Sequence, residues 1–470
     1  MDNQNRAAFF RFSQMLVDAI LVNLGIVFSF WLRFGGIIPA ENFGDYISIL
    51  PWITLSALLL LQFYGLYSTY RKRWAEIFSS LICVVFFLSL ISMALSFMTR
   101  GFAFPRTVLL LTPVLQMVLL GSWRRLAWQW ERSICGQRRV IVVGPYEEAA
   151  ALAGKLSRAF GDMVGVAGLL VAQKEEQAKE TGDSRIEVAA AGESKVNYPV
   201  LGTFADYGAC LETANPQEIY VCSSIGREYK SSFLHLSLKQ NRQVYLVPDF
   251  YEVLLFQAKV EQVDDIPVFA IGSLAIPEEL KVFKRFMDIV LAGVALAITA
   301  PLFVVIAAAI RLESAGPVFY RQRRLTEQGR CFYLYKFRTM IKDAEKLSGP
   351  VLAEENDSRI TRVGKLLRSV RLDELPQLIN VLKGEMSIVG PRPERPFFVD
   401  QFVNETPEYA YRLNVKSGIT GLAQVAGKYS TSYQDKLKYD LLYAKRYSPV
   451  KDLAILFQTV KVLLMKDRTS

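Results

Sequence analysis

The sequence predicts a membrane protein of mixed α/β class in three parts: a four-helix transmembrane bundle, a parallel α/β domain and a mainly α remainder. Three observations predict it. Four apolar stretches of membrane-spanning length crowd the first 123 residues. From residue 138 short β-branched runs alternate with helical stretches, as in a parallel sheet with crossovers. A fifth apolar run, 286–310, then opens a charged and largely helical final part. The expected boundaries are 1–137, 138–250, a linker at 251–280, and 281–470.

The four stretches are 12–32, 46–66, 77–98 and 104–123. Arg6 and Arg11 precede the first, Arg71, Lys72 and Arg73 follow the second, and Arg124, Arg125 and Arg132 follow the fourth. By the positive-inside rule both ends of the bundle face the cytoplasm; Arg100 and Arg106 weigh against this without reversing it. No short apolar core followed by small residues marks a cleavage site, so the first stretch is expected to stay as an anchor. Asp18, costly in lipid, is expected to make a polar contact inside the bundle.

The strands of the second part are expected at 139–143, 164–171, 218–222 and 244–247, with helices at 147–160 and 231–240. The first strand ends in Gly144-Pro145-Tyr146, where a dinucleotide-binding turn needs a second close glycine. That points to a degraded Rossmann-like domain retained for packing or regulation, with nucleotide binding the lesser alternative. The stretch 174–195, rich in Glu, Gly and Ala, reads as a mobile loop.

The run 286–310 is apolar enough to span. Basic residues flank both ends, however, with Lys284 and Arg285 before it and Arg311, Arg321, Arg323 and Arg324 after it, so both ends prefer one side. Pro301 would kink a helix near the middle and Thr299 could satisfy a freed carbonyl, so a re-entrant hairpin entering one leaflet is expected.

A net charge of +10 suits nucleic acid, anionic lipid or phosphorylated substrates, and membrane segments favour the last two. Five scattered cysteines without C-x-x-C spacing suggest neither a disulfide framework nor a zinc site. His235 is the chain's single histidine, so the final part contains none. Its candidates are carboxylates, cations and hydroxyls, a set suited to phosphoryl chemistry with magnesium. The stretch 358–371, SRITRVGKLLRSVR, reads as a basic amphipathic helix, suited equally to a membrane surface or a soluble core. Read alone, Asp373 in the following Asp373-Glu374-Leu375-Pro376 is a helix N-cap.

From Lys284 onward the motifs KRFMDIV, GPVFYRQ, YKFRTM, SRITRVGKLLRSVRLDELPQLINVLKG, SIVGPRPERP, SGITGLAQVAGKY and YDLLYAK appear in order. They resemble the bacterial sugar transferase family, phosphoglycosyl transferases that enter one leaflet. With the preceding bundle and Rossmann-like domain, the chain resembles the large form, the polyisoprenyl-phosphate hexose-1-phosphate transferases. Three departures stand out: Lys416-Ser417 where arginine-proline is usual, Gly427-Lys428 where glycine-arginine is frequent, and Thr326 where glycine is frequent. Lysine keeps the charge but offers no two-pronged contact.

The resemblance implies an undecaprenyl-phosphate hexose-1-phosphate transferase that uses a UDP-sugar, releases UMP and initiates exopolysaccharide, capsule or O-antigen synthesis. It makes Asp373 the nucleophile that forms a covalent sugar-phosphate intermediate, with Glu374 its acidic partner and both as ligands of Mg2+. Lys336, Arg338, Arg368, Arg392 and Lys428 are the expected phosphate-binding cations. The expected partners are the UDP-sugar, polyprenyl phosphate and the bilayer at the bacterial inner membrane, with catalysis on the cytoplasmic face, no nucleic acid, and a homo-oligomer left open. A membrane-bound nucleotide-sugar dehydratase or epimerase would need an intact glycine fingerprint and a Tyr-x-x-x-Lys pair, absent between Arg138 and Asp249. A non-enzymatic scaffold is the other alternative, in which the acidic pair is only a cap. The sugar is not specified by any motif.

Overall fold

The first four apolar stretches form helices α1 (Asn3–Phe34), α2 (Ala40–Phe63), α3 (Trp74–Met98) and α4 (Arg106–Cys135) in a computed structural model. It describes residues 3–67, 72–98, 105–172, 198–256, 258–341, 357, 359–428 and 431–464, so the loop expected at 174–195 lies outside the described residues. Each of the four is long and apolar enough to cross a membrane. Asp18 on α1 is fully buried and accepts a hydrogen bond from Arg124 of α4. Arg124 also donates to the Leu66 carbonyl, and Lys72 to that of Gly65. Two cations counted as flanking charge are therefore spent on the bundle's own carbonyls and carboxylate.

The chain divides into two compact units, Met1–Asp249 and Phe250–Ser470. In the first, β1 (Arg138–Val143), α5 (Tyr146–Phe160), β2 (Val164–Val171), β3 (Val200–Thr203), α6 (Tyr207–Ala214), β4 (Glu218–Val221), α7 (Arg227–Lys239) and β5 (Gln243–Leu246) follow the helices. The strands form one parallel sheet in the order β3-β2-β1-β4-β5, the topology of a Rossmann-like half. Its nucleotide crevice would open between β1 and β4, where the strand order reverses. Gly144 serves packing there, since a Cβ would lie 2.6 Å from Cys222 Sγ. Glu148, in the first turn of α5, accepts from the Ser223 N–H (3.0 Å) and hydroxyl (2.9 Å) and from the Ser224 hydroxyl.

In the second unit, the stretch read as a linker carries α8 (Phe250–Leu255) and an exposed antiparallel hairpin, β6 (Lys259–Val263) and β7 (Ile266–Ala270). Val253 of α8 is buried with Val399, Leu437 and Leu441, so this segment belongs to the unit's core. There follow α9 (Glu278–Glu313), β8 (Phe319–Leu325), β9 (Cys331–Phe337), α10 (Arg362–Ser369) and α11 (Gln377–Lys383). The chain closes with β10 (Ser387–Val389), α12 (Pro396–Glu405), β11 (Gly418–Thr420), α13 (Leu422–Ala426), α14 (Tyr433–Lys445) and α15 (Pro449–Leu464). The unit is mainly helical, with two small pairs, β8 with β9 antiparallel and β10 with β11 parallel.

The run expected to turn back on itself at 286–310 lies inside the single helix α9, Pro301 included. Thr299 donates to the Ala295 carbonyl, the ordinary partner four residues back, and not to the Ala297 carbonyl that Pro301 leaves without its helical donor. Both ends of α9 are tied to the second unit. Near its start Lys284 donates to Asp452 (2.6 Å), Arg285 to the Val381 and Leu382 carbonyls, and Asp288 accepts from the Ser387 hydroxyl and Ile388 N–H. At its end Glu313 accepts from the Arg362 and Val363 N–H groups that open α10.

Candidate active site

Thr361 caps α10 by accepting from the Gly364 N–H. Gly364 is required, since a Cβ would sit 2.1 Å from the Thr339 carbonyl oxygen on which α10 packs. The helix stops where Arg371 takes the left-handed conformation, φ 54°, a costly one for a residue that carries a Cβ, and a single 3-10 turn over Leu372–Glu374 follows. Leu372 and Leu375 pack against the cluster of Ile306, Ile310, Phe337 and Leu367. These flanking leucines anchor the turn and leave Asp373 and Glu374 to the polar side. Asp373 is therefore not a helix cap: no side-chain capping bond opens this turn, and α11 starts after Pro376.

The turn lies beside β9. Lys336, paired with Tyr320 across the β8–β9 hairpin, places its Nζ 3.0 Å from Glu374 Oε1 and 3.9 Å from Asp373 Oδ2. Arg392 brings Nη2 to 2.7 Å from the same Glu374 oxygen. The two acids thus have different environments. Burial alone would raise the Glu374 carboxyl, but Arg392 and Lys336, both hydrogen-bonded to it, outweigh burial and hold it well below the usual carboxylate range. Asp373 is raised, by burial first, with Lys336 opposing and the Glu374 charge reinforcing. Among the described residues no hydrogen bond engages the Asp373 carboxylate.

Of the other expected cations, Arg368 donates to Thr339 Oγ1 at 2.9 Å and lies near enough to favour ionised Asp373. Arg338 is spent elsewhere. It is buried against the end of α9, donating to the carbonyls of Ser314 (2.7 Å) and Ala315 (3.1 Å) and to the Ser314 hydroxyl. Unsatisfied carbonyls at a helix end attract such a donor, and no motif in the sequence distinguishes that demand from a phosphate's. Lys428 is exposed after α13, its backbone N–H given to Thr431 Oγ1, and no described contact ties its side chain to the acidic pair. The structure therefore gathers Asp373, Glu374, Lys336, Arg368 and Arg392. Thr339, which holds Arg368, lies within the YKFRTM motif, and nothing in that string assigned it to the site. Two of the departures meet: the Ser417 N–H donates to Thr326 Oγ1 at 3.3 Å and its hydroxyl to the Leu325 carbonyl.

The sequence profile described as bacterial sugar transferase matches residues 279–466, the stretch that holds every member of this cluster. The exopolysaccharide production protein ExoY of Rhizobium meliloti is 36% identical over 196 residues, which cover 85% of that relative and 39% of this chain. The chain belongs to the bacterial sugar transferase family. Two longer relatives also match. The UDP-N-acetylgalactosamine-undecaprenyl-phosphate N-acetylgalactosaminephosphotransferase of Aeromonas hydrophila is 42% identical over 225 residues, 47% of this chain and 52% of the relative. The UDP-glucose:undecaprenyl-phosphate glucose-1-phosphate transferase of Klebsiella pneumoniae is 38% identical over 224 residues, 46% of this chain and 48% of the relative. The match thus spans about half the length of these two longer relatives.

Within this family member, the donor set suits a hard divalent cation. Asp373 and Glu374 supply carboxylate oxygens, as magnesium prefers. No group of three or more His, Cys, Asp or Glu side chains suited to a metal occurs among the described residues, so the remaining ligands would come from phosphate and water.

Proposed function

We propose that the protein transfers a hexose-1-phosphate from a UDP-sugar to undecaprenyl phosphate, through a covalent intermediate on Asp373. The observation that carries this reading is the divided acidic pair. Glu374 is held between Lys336 and Arg392, while Asp373 accepts no hydrogen bond among the described residues and meets Lys336 only as an ion pair at 3.9 Å. An Asp373 oxygen attacks the phosphorus nearest the sugar, the bond from that phosphorus to the bridging oxygen breaks, and UMP departs with the electron pair. A phosphate oxygen of the polyprenyl carrier then attacks the same phosphorus and releases the aspartate as carboxylate. Lys336, Arg368 and Arg392 take up the diphosphate charge, and a bound Mg2+ on Asp373 and Glu374 would neutralise more of it. The relatives' names support the carrier and the nucleotide sugar; they name both N-acetylgalactosamine and glucose, so the sugar is a matter for assay.

The proposed seat is the cytoplasmic face of the inner membrane, with the reaction opening exopolysaccharide, capsule or O-antigen synthesis. Its support is α9, apolar enough to span yet bound at both ends to one compact unit. A fully crossing helix would put those ends on opposite sides of about 30 Å of hydrocarbon. A bend at Pro301, which lacks the backbone donor of its turn, would keep both ends on one side. Leu366 on α10 and Val370 just past its end are exposed beside Arg362 and Lys365, the composition of a helix lying at headgroup depth. Cysteines at Lys281 and Leu312 should share sidedness in a Cys331→Ser background; labelling of Leu312→Cys alone by an impermeant external reagent would make α9 a spanning helix.

The chemical step is tested without acceptor. The unsubstituted protein should release about one UMP per active site and become labelled from a sugar-labelled donor, as two-step transfer requires. Asp373→Asn should do neither, with turnover down by at least about a thousandfold and thermal stability unchanged or raised, because a buried carboxylate becomes neutral. A full reaction that runs without any acceptor-free burst or label would favour direct attack by the polyprenyl phosphate.

A further inference from the structure

Arg392 lies in Gly390-Pro391-Arg392-Pro393-Glu394, where a proline on either side removes a backbone donor. The segment is held instead through its carbonyls, four in succession. Pro391 O accepts from the Gly418 N–H (2.8 Å), Arg392 O from Arg412 Nη2 (2.8 Å), Pro393 O from Arg324 Nη1 (3.0 Å) and Glu394 O from the Leu325 N–H (3.0 Å). Arg412 therefore grips the residue whose guanidinium reaches Glu374.

Arg412 itself points away from the acidic pair. Its side chain is 7% exposed and lies 3.0 Å from Asp440 Oδ2, on a carboxylate 3% exposed. Its other Nη donates to the Tyr409 hydroxyl, and the guanidinium stacks over that ring, 4.8 Å from the centroid. Burying such a pair is costly, and the guanidinium offsets part of that by donating to the Arg392 carbonyl and the Tyr409 hydroxyl, while Asp440 Oδ2 holds it as an ion pair without a hydrogen bond of its own. Nη2 meets both Asp440 and the carbonyl while Nη1 reaches Tyr409, so lysine, with one nitrogen and no planar face, would lose the Tyr409 contact and the stack that fix the direction of the grip.

We propose that Arg412, anchored by Asp440, is a positioning residue that directs Arg392 toward Glu374 and the diphosphate of the donor. This rests on the reading that a UDP-sugar binds at the acidic pair. The grip works on the main chain of Arg392, so its loss lets the side chain swing without removing any charge from the site.

The test measures UDP binding to the full-length Asp373→Asn protein in lipid nanodiscs, which separates positioning from turnover. Arg412→Lys should weaken UDP binding about five- to tenfold when Arg392 is present and less than about twofold when Arg392→Ala is present, since a residue acting through another loses its effect once that other is gone. Asp440→Glu, which keeps the charge and shifts the anchor by one methylene, should give the same pattern at smaller amplitude and serves if Arg412→Lys fails to fold. Equal weakening in both Arg392 backgrounds, or none in either, overturns the proposal. Failure of the Asp373→Asn protein to bind UDP at all overturns the donor reading itself, and the positioning role falls with it.

Discussion

Glu148 and Glu374 each accept several hydrogen bonds, yet they do opposite things to their surroundings. Glu148, on α5 just after β1, is satisfied by neutral donors of Ser223 and Ser224, which follow β4. A carboxylate there takes the place an anionic ligand would need, and the neighbouring Gly144 is spent on Cys222. Glu374 is satisfied by Lys336 and Arg392, and Arg368 lies close by. Three cations around two carboxylates leave positive charge to spare for phosphate. The comparison teaches that an acid held by neutral groups closes a site, while an acid held by cations arranges them for a further anion.

Removing the cation-bound acid should have the largest effect on this contrast. Glu374→Gln leaves Lys336 and Arg392 without their shared anion, and they should then turn to Asp373. Initial turnover should fall by about a hundredfold, read as UMP release, with the protein still folded. A fall of less than threefold would make Glu374 a bystander.

The acid dependence sharpens the same point. Asp373 attacks only when ionised, and burial with the Glu374 charge raises its pKa. The rate of acceptor-free labelling should be full above that pKa and fall about tenfold per pH unit below it, with the limb above the ordinary aspartate value of about 3.9. In Glu374→Gln one upward push is gone, so the limb should move to lower pH. A shift the other way would contradict the assigned coupling.

Changes on the closed site should cost stability and not turnover. Glu148→Ala strands the Ser223 and Ser224 donors and should lower the stability of the sheet domain by about 1–3 kcal/mol, with transfer within about twofold of the unsubstituted protein. Omitting the first unit should have a similarly small effect on transfer. A chain starting at Phe250, which keeps α8 in its core, should retain transfer in detergent within a few-fold. One starting near Ile276 exposes the Val253 contacts and should be less stable.

Much of this was legible in the linear chain. Apolar length announces the long apolar helices, and alternation announces the parallel sheet. The ordered motifs announce the family and the acidic pair, because they are local strings. Assignments that depend on direction were not legible. Lys336 and Arg338 stand two residues apart in one motif, yet one reaches Glu374 and the other closes the end of α9. Asp373 reads as a cap until Arg371 turns the chain and the flanking leucines bury. Arg412 carries no motif of its own, and its role exists only because two prolines leave the Arg392 carbonyl to be held from a distance. The sequence by itself determined which residues are apolar, charged or unable to donate, and hence the elements and the chemistry at hand. Tertiary structure decided which cation meets which anion, because a buried charge goes to the unsatisfied group that packing brings within hydrogen-bond reach, wherever that group lies in the chain.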